Sequence, residues 1–504
     1  MAGKTKYFKG LPVGPRPAGA SPRPAQTLIS VLVLIYVLLP AAVPCRGCFS
    51  IVVGKNASAD GYVIVGHNED DPAPQTVNHH KVPRRRHPPG AKVRLRNGGV
   101  LEQAEQTWAY IWSEMPGMLY SDSYVNEWSV TVTSDNCPSR QDKPDITDGG
   151  IGYMLRRLVA ERARTARQGV LLAGKLVERF GYADSGRTYI ICDPEEGWLF
   201  CAVNGKHWLA QRVGDDEVAM VANTYTIRKV VLSDKRNFLA CKDIVDYAKL
   251  RSWYDPKVDG PFDFAAVYAH PDAASHPNNF GRQWTGLKYI SGEPLPLDPG
   301  LPFSVVPRRK LRVADVMQIL RHDNQMQVGS TSSHLSDLRD RGCALCNVST
   351  QTSFVTQLRR NVPLDIGIVY WVCLASPRTS FYIPFHFGIS GLPAGFRSES
   401  ERPTEQFYDR KVGAPFAVDP MYAFWTFSNF RDKVDRAGSK MVTMTKAEAR
   451  RIEEIAFDVQ KPLEKAACKL YDGDRTKAMR MLENYSKGIY LSCVEAMSTV
   501  LSRN

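Results

Sequence analysis

Cys48 is the residue most able to do chemistry in this 504-residue chain. Lys4, Lys6, Lys9, Arg16 and Arg23 precede an apolar run from Leu28 to Leu39, and Pro40, small residues and Cys45-Arg46-Gly47 follow. This is the basic, hydrophobic, small-residue order of a signal peptide, and cutting after Gly47 would make Cys48 the first residue of the mature protein. The competing reading is a retained signal anchor, although the run has few apolar residues for a span. A thiol of pKa about 8.5 and an α-amine of about 7.7–8.0 both titrate near neutrality. An N-terminal cysteine therefore carries its own base: the amine takes the thiol proton, sulfur attacks a carbonyl, and the ammonium returns the proton to the leaving amine.

Cys48 to Val53 reads as a buried strand, Gly54 to Asp60 as a polar turn, and Gly61 to Gly66 as the returning strand. Such a hairpin delivers His67-Asn68-Glu69-Asp70 beside Cys48. A carboxylate there would orient the amine and stabilise its protonated form, a role assigned to Asp70.

The stretch Cys-x-x-x-x-Val-Gly-Lys-x-Ala-Ser-x-Asp-Gly from Cys48, followed by Gly66-His67-Asn68-Glu69-Asp70, resembles the opening of the secernin-related cysteine dipeptidases. Asn126-Glu127-Trp128-Ser129-Val130, Tyr189 to Asn223, Leu311 to Asp323 and Thr352 to Leu358 resemble that family in the same order, so the similarity runs from Cys48 to about Phe427. The resemblance implies the four-layered αββα sandwich of N-terminal-nucleophile hydrolases. It also implies an oxyanion donor at Asn223, in Ala222-Asn223-Thr224-Tyr225, and a second candidate at Asn126; for either asparagine a turn-capping side chain is the alternative. Asp70 matches the acidic residue of the family's Arg-Asn-x-Asp pattern. His67 stands where arginine is usual. A histidine is shorter and loses its charge near neutrality, so support of the thiolate from His67 is expected to fade as pH rises through the histidine range.

Composition fits a folded enzyme of 43% hydrophobic residues. Six of the thirteen net positive charges lie in residues 1–47, and the rest are dispersed without a nucleic-acid motif, so no nucleic-acid partner is expected. Nine cysteines remain beside Cys45 and Cys48, and an oxidising compartment would pair some of them. Cys343-Ala344-Leu345-Cys346 has metal-ligand spacing but no second pair, so neither metal nor cofactor is expected. Asn56-Ala57-Ser58, Asn347-Val348-Ser349 and Asn484-Tyr485-Ser486 are glycosylation sequons.

Further along, Ala73 to Gly99, with His79-His80 and Arg84-Arg85-Arg86, reads as an exposed basic loop that could attract a substrate carboxylate. Strands are expected at Thr107 to Trp112 and Ser129 to Thr133, and helices from Ile151 to Arg167 and Val170 to Phe180. Short strands are expected between Tyr189 and Ala222, with an Asn204-Gly205 turn. Tyr247 to Pro307 reads as long loops, Leu311 to His322 as helix, Ile366 to Leu374 and Ser380 to Phe385 as strands, and Lys446 to Tyr490 as a helical tail broken at Gly473-Asp474. This order is α+β, two stacked sheets covered by helices. We expect a leader over 1–47, a catalytic domain over 48–430 and a helical extension over 431–504 packed on it. The expected function is a secreted or lysosome-like cysteine dipeptidase acting on short peptides, with no stable membrane span after leader removal and oligomeric state left open. The alternatives are a related amide hydrolase acting on acylated amines, or a non-catalytic secernin-like interaction protein.

Overall fold

Phe49–Val53 and Ile64–Asp70 pair antiparallel in a register that sets Ser50 opposite His67 and Phe49 opposite Asn68. Side chains alternate across a strand, so Phe49, Ile51, Gly66, Asn68 and Asp70 share one face while Cys48, Ser50, His67 and Glu69 share the other. The computed structural model describes residues 47–71, 74, 76–115, 120–323, 343–396 and 418–503. The expected leader, apart from Gly47, lies outside the described residues.

The hairpin is central to a seven-stranded sheet of order Ser304–Val305, Val218–Val221, Phe49–Val53, Ile64–Asp70, Thr350–Leu358, Ile368–Leu374, Ile383–His386. A second, eight-stranded sheet runs Phe238–Ala240, Trp208–Arg212, Gly197–Gly205, Tyr182–Cys192, Thr131–Asn136, Tyr120–Asn126, Tyr110–Met115, Asn78–Val82. All of these pairings are antiparallel. The sheets face each other across one core, with hydrogen bonds passing between them from Ser50 to Asp135 and between Ser123 and Tyr370. Met154–Arg162 and Ala166–Phe180 cover the second sheet, and Pro277–Ser291, Val313–Leu320 and three C-terminal helices cover the first. The result is the expected α+β, four-layered αββα sandwich.

Two glycines set the helices on the first sheet. A Cβ on Gly66 would meet Val316 Cγ1 at 2.7 Å and Leu320 Cδ1 at 2.9 Å, which seats Val313–Leu320 on the central hairpin. A Cβ on Gly286 would run into the Met220 sulfur, so only glycine lets Pro277–Ser291 lie so close to Val218–Val221. That helix falls where loops were expected. Pro277 opens it and the His276 ring accepts from Asn278 N, a start signal without strong apolar periodicity behind it. Asn78–Val82 likewise turns part of the expected 73–99 loop into a sheet edge, and Arg84 is held by Glu127 at 2.6–3.2 Å.

The C-terminal helices are Ala423–Ala437, Ser439–Tyr471 and Arg475–Ser502, with the break at Gly473-Asp474 as expected; the expected boundary at 431 falls inside the first of them. Cys45–Asn504 forms one compact unit. Buried ion pairs clamp the tail to the sheet: Arg321 to Glu453 at 2.6 and 3.1 Å, and Arg359 to Glu464 at 2.5 and 2.6 Å, with His386 Nε2 also 2.7 Å from Glu464. No disulfide joins any two of the ten cysteines among the described residues, so the pairs expected from an oxidising compartment are not formed among them. No helix among the described residues is long and apolar enough to cross a membrane.

Burial raises the Glu464 pKa, but Arg359 and His386 outweigh it and bring the carboxyl down to about 2. A folded-state pKa below the unfolded one of about 4.3 gives stability that is present above the unfolded value and lost as pH falls towards 2, worth roughly 3 kcal/mol at about 1.4 kcal/mol per unit. We expect the urea midpoint of the wild type to exceed that of Glu464→Gln at pH 7, and the gap to shrink to about half by pH 3 and to close only near pH 1. A gap independent of pH would show that the carboxylate charge is not what holds the tail.

Candidate active site

Cys48, Ser50, His67 and Glu69 project from the inner face of the first sheet towards the second, where Asp122 and Asp135 project back. The Cys48 thiol donates to Glu69 Oε2 at 3.2 Å. His67 Nε2 lies 3.0 Å from that same oxygen and 2.9 Å from Asp122 Oδ1. His67 Nδ1 lies 2.8 Å from Ser50 Oγ, and Ser50 donates to Asp135 Oδ2 at 2.5 Å. A hydroxyl has one proton; because Ser50 gives its own to Asp135, Nδ1 must donate to Ser50. His67, Asp122 and Asp135 are wholly buried and Cys48 is 6% exposed.

Electrostatics follow from this packing. Burial lowers the His67 pKa, but Asp122, Glu69 and Asp135 overcome it and raise it well above the ordinary value. The loss of His67 charge expected through the ordinary histidine range therefore moves to higher pH. Burial pushes Asp135 up to about 6 against the opposing pull of His67 and Ser50. Burial also raises the Cys48 thiol, reinforced by Glu69, Asp135 and Asp70, with the Asp70 backbone N–H opposing. The thiol is consequently protonated and needs a base before it can attack.

Asp70 leaves the strand on the opposite face. Thr350 Oγ1 donates to it at 2.5 Å and Asn347 Nδ2 at 2.7 Å. Burial lifts its carboxyl to about 6, although Thr350, Arg282 and Asn347 pull the other way.

Asn223 sits two residues beyond Val218–Val221 with φ 61°, a left-handed conformation that asparagine tolerates better than most residues. Its Oδ1 accepts from Arg282 Nη2 at 2.6 Å, and its Nδ2 donates one hydrogen to Asn136 O at 2.9 Å. Arg282 Nη1 also donates to the carbonyls of Gly47 and Cys48, the latter at 2.9 Å. A side chain at residue 47 would overlap Asn223 Oδ1, so glycine alone fits there.

The structure thus gathers Cys48 and His67 around Glu69, links Asn223 to Cys48 through Arg282, and leaves Asp70 on the opposite face, within electrostatic reach of the thiol. It does not bring in Asn126. That amide donates to Ala160 O and Ala163 O, both at 2.8 Å, and its oxygen accepts from Trp128 N and Val130 N. Asn126 caps the turn between two strands and ties it to a helix, which is the alternative weighed for it from sequence. Ser50, Asp122, Asp135 and Arg282 belong to the cluster and are missed from sequence, and Glu69 was named only as part of a motif. Polar residues at inward positions of Tyr120–Asn126 and Thr131–Asn136 were the available signal for the aspartates. Cys343 and Cys346 are separate buried thiols, Cys346 lying 3.7 Å from His322 O.

Two substitutions separate charge and donation from packing. Asn223→Gly keeps the left-handed backbone and removes only the amide, so we expect kcat to fall about 10²-fold or more if Asn223 supports an oxyanion; an unchanged kcat would leave it a turn residue. His67→Gln keeps a donor without charge and should lower kcat/KM by a similar factor, whereas His67→Arg keeps the charge and should recover much of it. Equal losses in both variants would mean the cation has no electrostatic part.

The model of peptidase family C69 matches residues 47–426. A "Probable dipeptidase" of Salmonella dublin is 29% identical over 366 residues, 69% of this chain and 82% of the relative. "Probable dipeptidase B" of Streptococcus pyogenes serotype M1 is 24% identical over 413 residues, covering 77% and 78%. Among solved structures, penicillin V acylase from Agrobacterium tumefaciens aligns with TM-score 0.36 and 11% identity over 70% of this chain and 89% of its own. With the family match spanning most of its length and beginning at the glycine before Cys48, this chain belongs to peptidase family C69.

Proposed function

We propose that the protein is a cysteine-type dipeptidase whose nucleophile is Cys48, freed as an N-terminal residue by removal of residues 1–47. The observation that carries this is a buried thiol hydrogen-bonded to Glu69, on a residue whose carbonyl is gripped by Arg282. Membership of a peptidase family and relatives named as dipeptidases support the substrate class.

The thiol is too weak an acid to ionise unaided in this acidic surround, so a base must act. The α-amine exposed at Cys48 supplies it, and the resulting ammonium enters a site already rich in carboxylates, with Asp70 beside it. Sulfur attacks the peptide carbonyl of the dipeptide. The developing oxyanion is met by the second hydrogen of the Asn223 amide and by the Arg282 donor that Gly47 vacates. The ammonium protonates the leaving amine, the C-terminal amino acid departs, and a thioester to Cys48 remains. Water, deprotonated by the same amine, hydrolyses the thioester and restores the thiol.

A secretory or vesicular location completes the proposal, supported by the signal-peptide order of the leader and by exposed Asn56 and Asn484 within sequons. The Asn347 amide is instead committed to Asp70.

The test is a panel of dipeptides and N-acylated amino acids assayed with purified protein whose N-terminus has been sequenced. Protein beginning at Cys48 should hydrolyse dipeptides, lose activity with a thiol alkylator, and lose nearly all of it on Cys48→Ser. Preference for acylated amines would move the reading to an amide hydrolase, and full activity in Cys48→Ser would remove Cys48 as nucleophile.

A further inference from the structure

Cys48 Sγ, His67 Nε2 and Glu69 Oε2 lie within 4.8 Å of one another and are buried. They form a sulfur, nitrogen and oxygen set, the ligand types that tetrahedral zinc takes. We propose that these three atoms, joined by the amine of Cys48 once Gly47 is removed, form an inhibitory site for a thiophilic divalent cation, zinc above all. The inference rests on the reading of Cys48 as the N-terminal nucleophile, because the metal would occupy both the attacking sulfur and its base.

Distances favour a small ion. With Zn–N and Zn–O bonds of about 2.0 Å and a Zn–S bond of about 2.3 Å, the edges of a tetrahedron are about 3.3–3.5 Å. The sulfur-to-oxygen and nitrogen-to-oxygen separations are 3.2 and 3.0 Å, each within a few tenths of an ångström of those edges, and the sulfur-to-nitrogen separation is no more than 4.8 Å. The histidine is already presented in the correct sense. Ser50 gives its proton to Asp135 and so must accept one from Nδ1, which leaves Nε2 as the nitrogen facing Cys48 and Glu69. A ligand histidine held by a donor chain to a carboxylate is the usual outer-shell arrangement of zinc sites.

Charge favours the same ion. Glu69, Asp122 and Asp135 surround the cluster, and Asp122 Oδ1, which loses His67 when metal binds, keeps the Thr133 hydroxyl at 3.3 Å. The amine and thiolate of one residue bind a metal as a chelate, so the four ligands close the coordination sphere. No position is left for an activating water, and the bound state is an inhibited one. Binding releases the protons of the thiol, the imidazolium and the ammonium to solvent.

Protein beginning at Cys48 is titrated with Co2+ and its absorption recorded. We expect one Co2+ per chain, a strong thiolate-to-cobalt charge-transfer band with the visible bands of a four-coordinate ion, and loss of both on adding Zn2+. Cys48→Ser should abolish the charge-transfer band, and Glu69→Gln and His67→Arg should each raise the Co2+ Kd at least tenfold. Dipeptide hydrolysis should fall over the Zn2+ range that displaces cobalt and return with a chelator. Absence of the band in the unsubstituted protein overturns the site whatever the variants do, and so does a band that persists in Cys48→Ser. A protein that shows the band yet hydrolyses no peptide keeps the metal site and overturns the dipeptidase reading. Alkylator-sensitive dipeptidase activity with no band and no response to Zn2+ overturns the metal site alone.

Discussion

The register of one hairpin, Ser50 opposite His67, governs the rest of the site. Because a strand alternates its faces, that register puts Cys48, Ser50, His67 and Glu69 together on the inner side of the first sheet, and a slip of one residue would turn them all outward. Their polar atoms are then buried against a second sheet that must answer them. Asp122 and Asp135 do so, which raises the His67 pKa and makes the space beside Cys48 strongly acidic.

An acidic surround is a poor place to ionise a thiol and a good place to receive an ammonium. The two facts fit together when the base is the amine of the nucleophile itself: protonating the amine adds a positive charge where carboxylates already converge, so transfer from sulfur is helped by the same groups that oppose spontaneous ionisation. Arg282 contributes from outside the sheet. Its helix lies close over Gly286, and its guanidinium spans the Cys48 carbonyl and the Asn223 amide, linking the two residues.

Much of this was legible in the sequence because the signals are local. Apolar strands either side of a polar turn define the opening hairpin, and its register sets His67 beside Cys48 with Asp70 on the opposite face. Asn223 was legible through its family motif, with its left-handed backbone unseen. Asn126 was ambiguous, since the Asn-Glu-Trp-Ser stretch suits a turn and an oxyanion donor equally well until the Ala160 and Ala163 carbonyls are seen to accept from it. Asp122, Asp135 and Arg282 were not legible. They reach the site through sheet-to-sheet stacking and the approach of a helix more than two hundred residues from Cys48, contacts that no local pattern specifies. The helix Pro277–Ser291 lies in a stretch rich in proline, glycine and aromatics that reads as loop: Pro277 is a start signal, but little apolar periodicity follows it and two interior glycines argue against a helix unless close packing requires them.

The central claim is that Cys48 attacks as an N-terminal residue, and the covalent intermediate tests it most directly. Protein mixed with a dipeptide is acid-quenched within one turnover, digested, and its peptides weighed. The account predicts a thioester carrying the substrate's N-terminal aminoacyl group on a peptide that begins at Cys48. An aminoacyl group found on any other residue, or on a peptide that still carries Gly47, would contradict it.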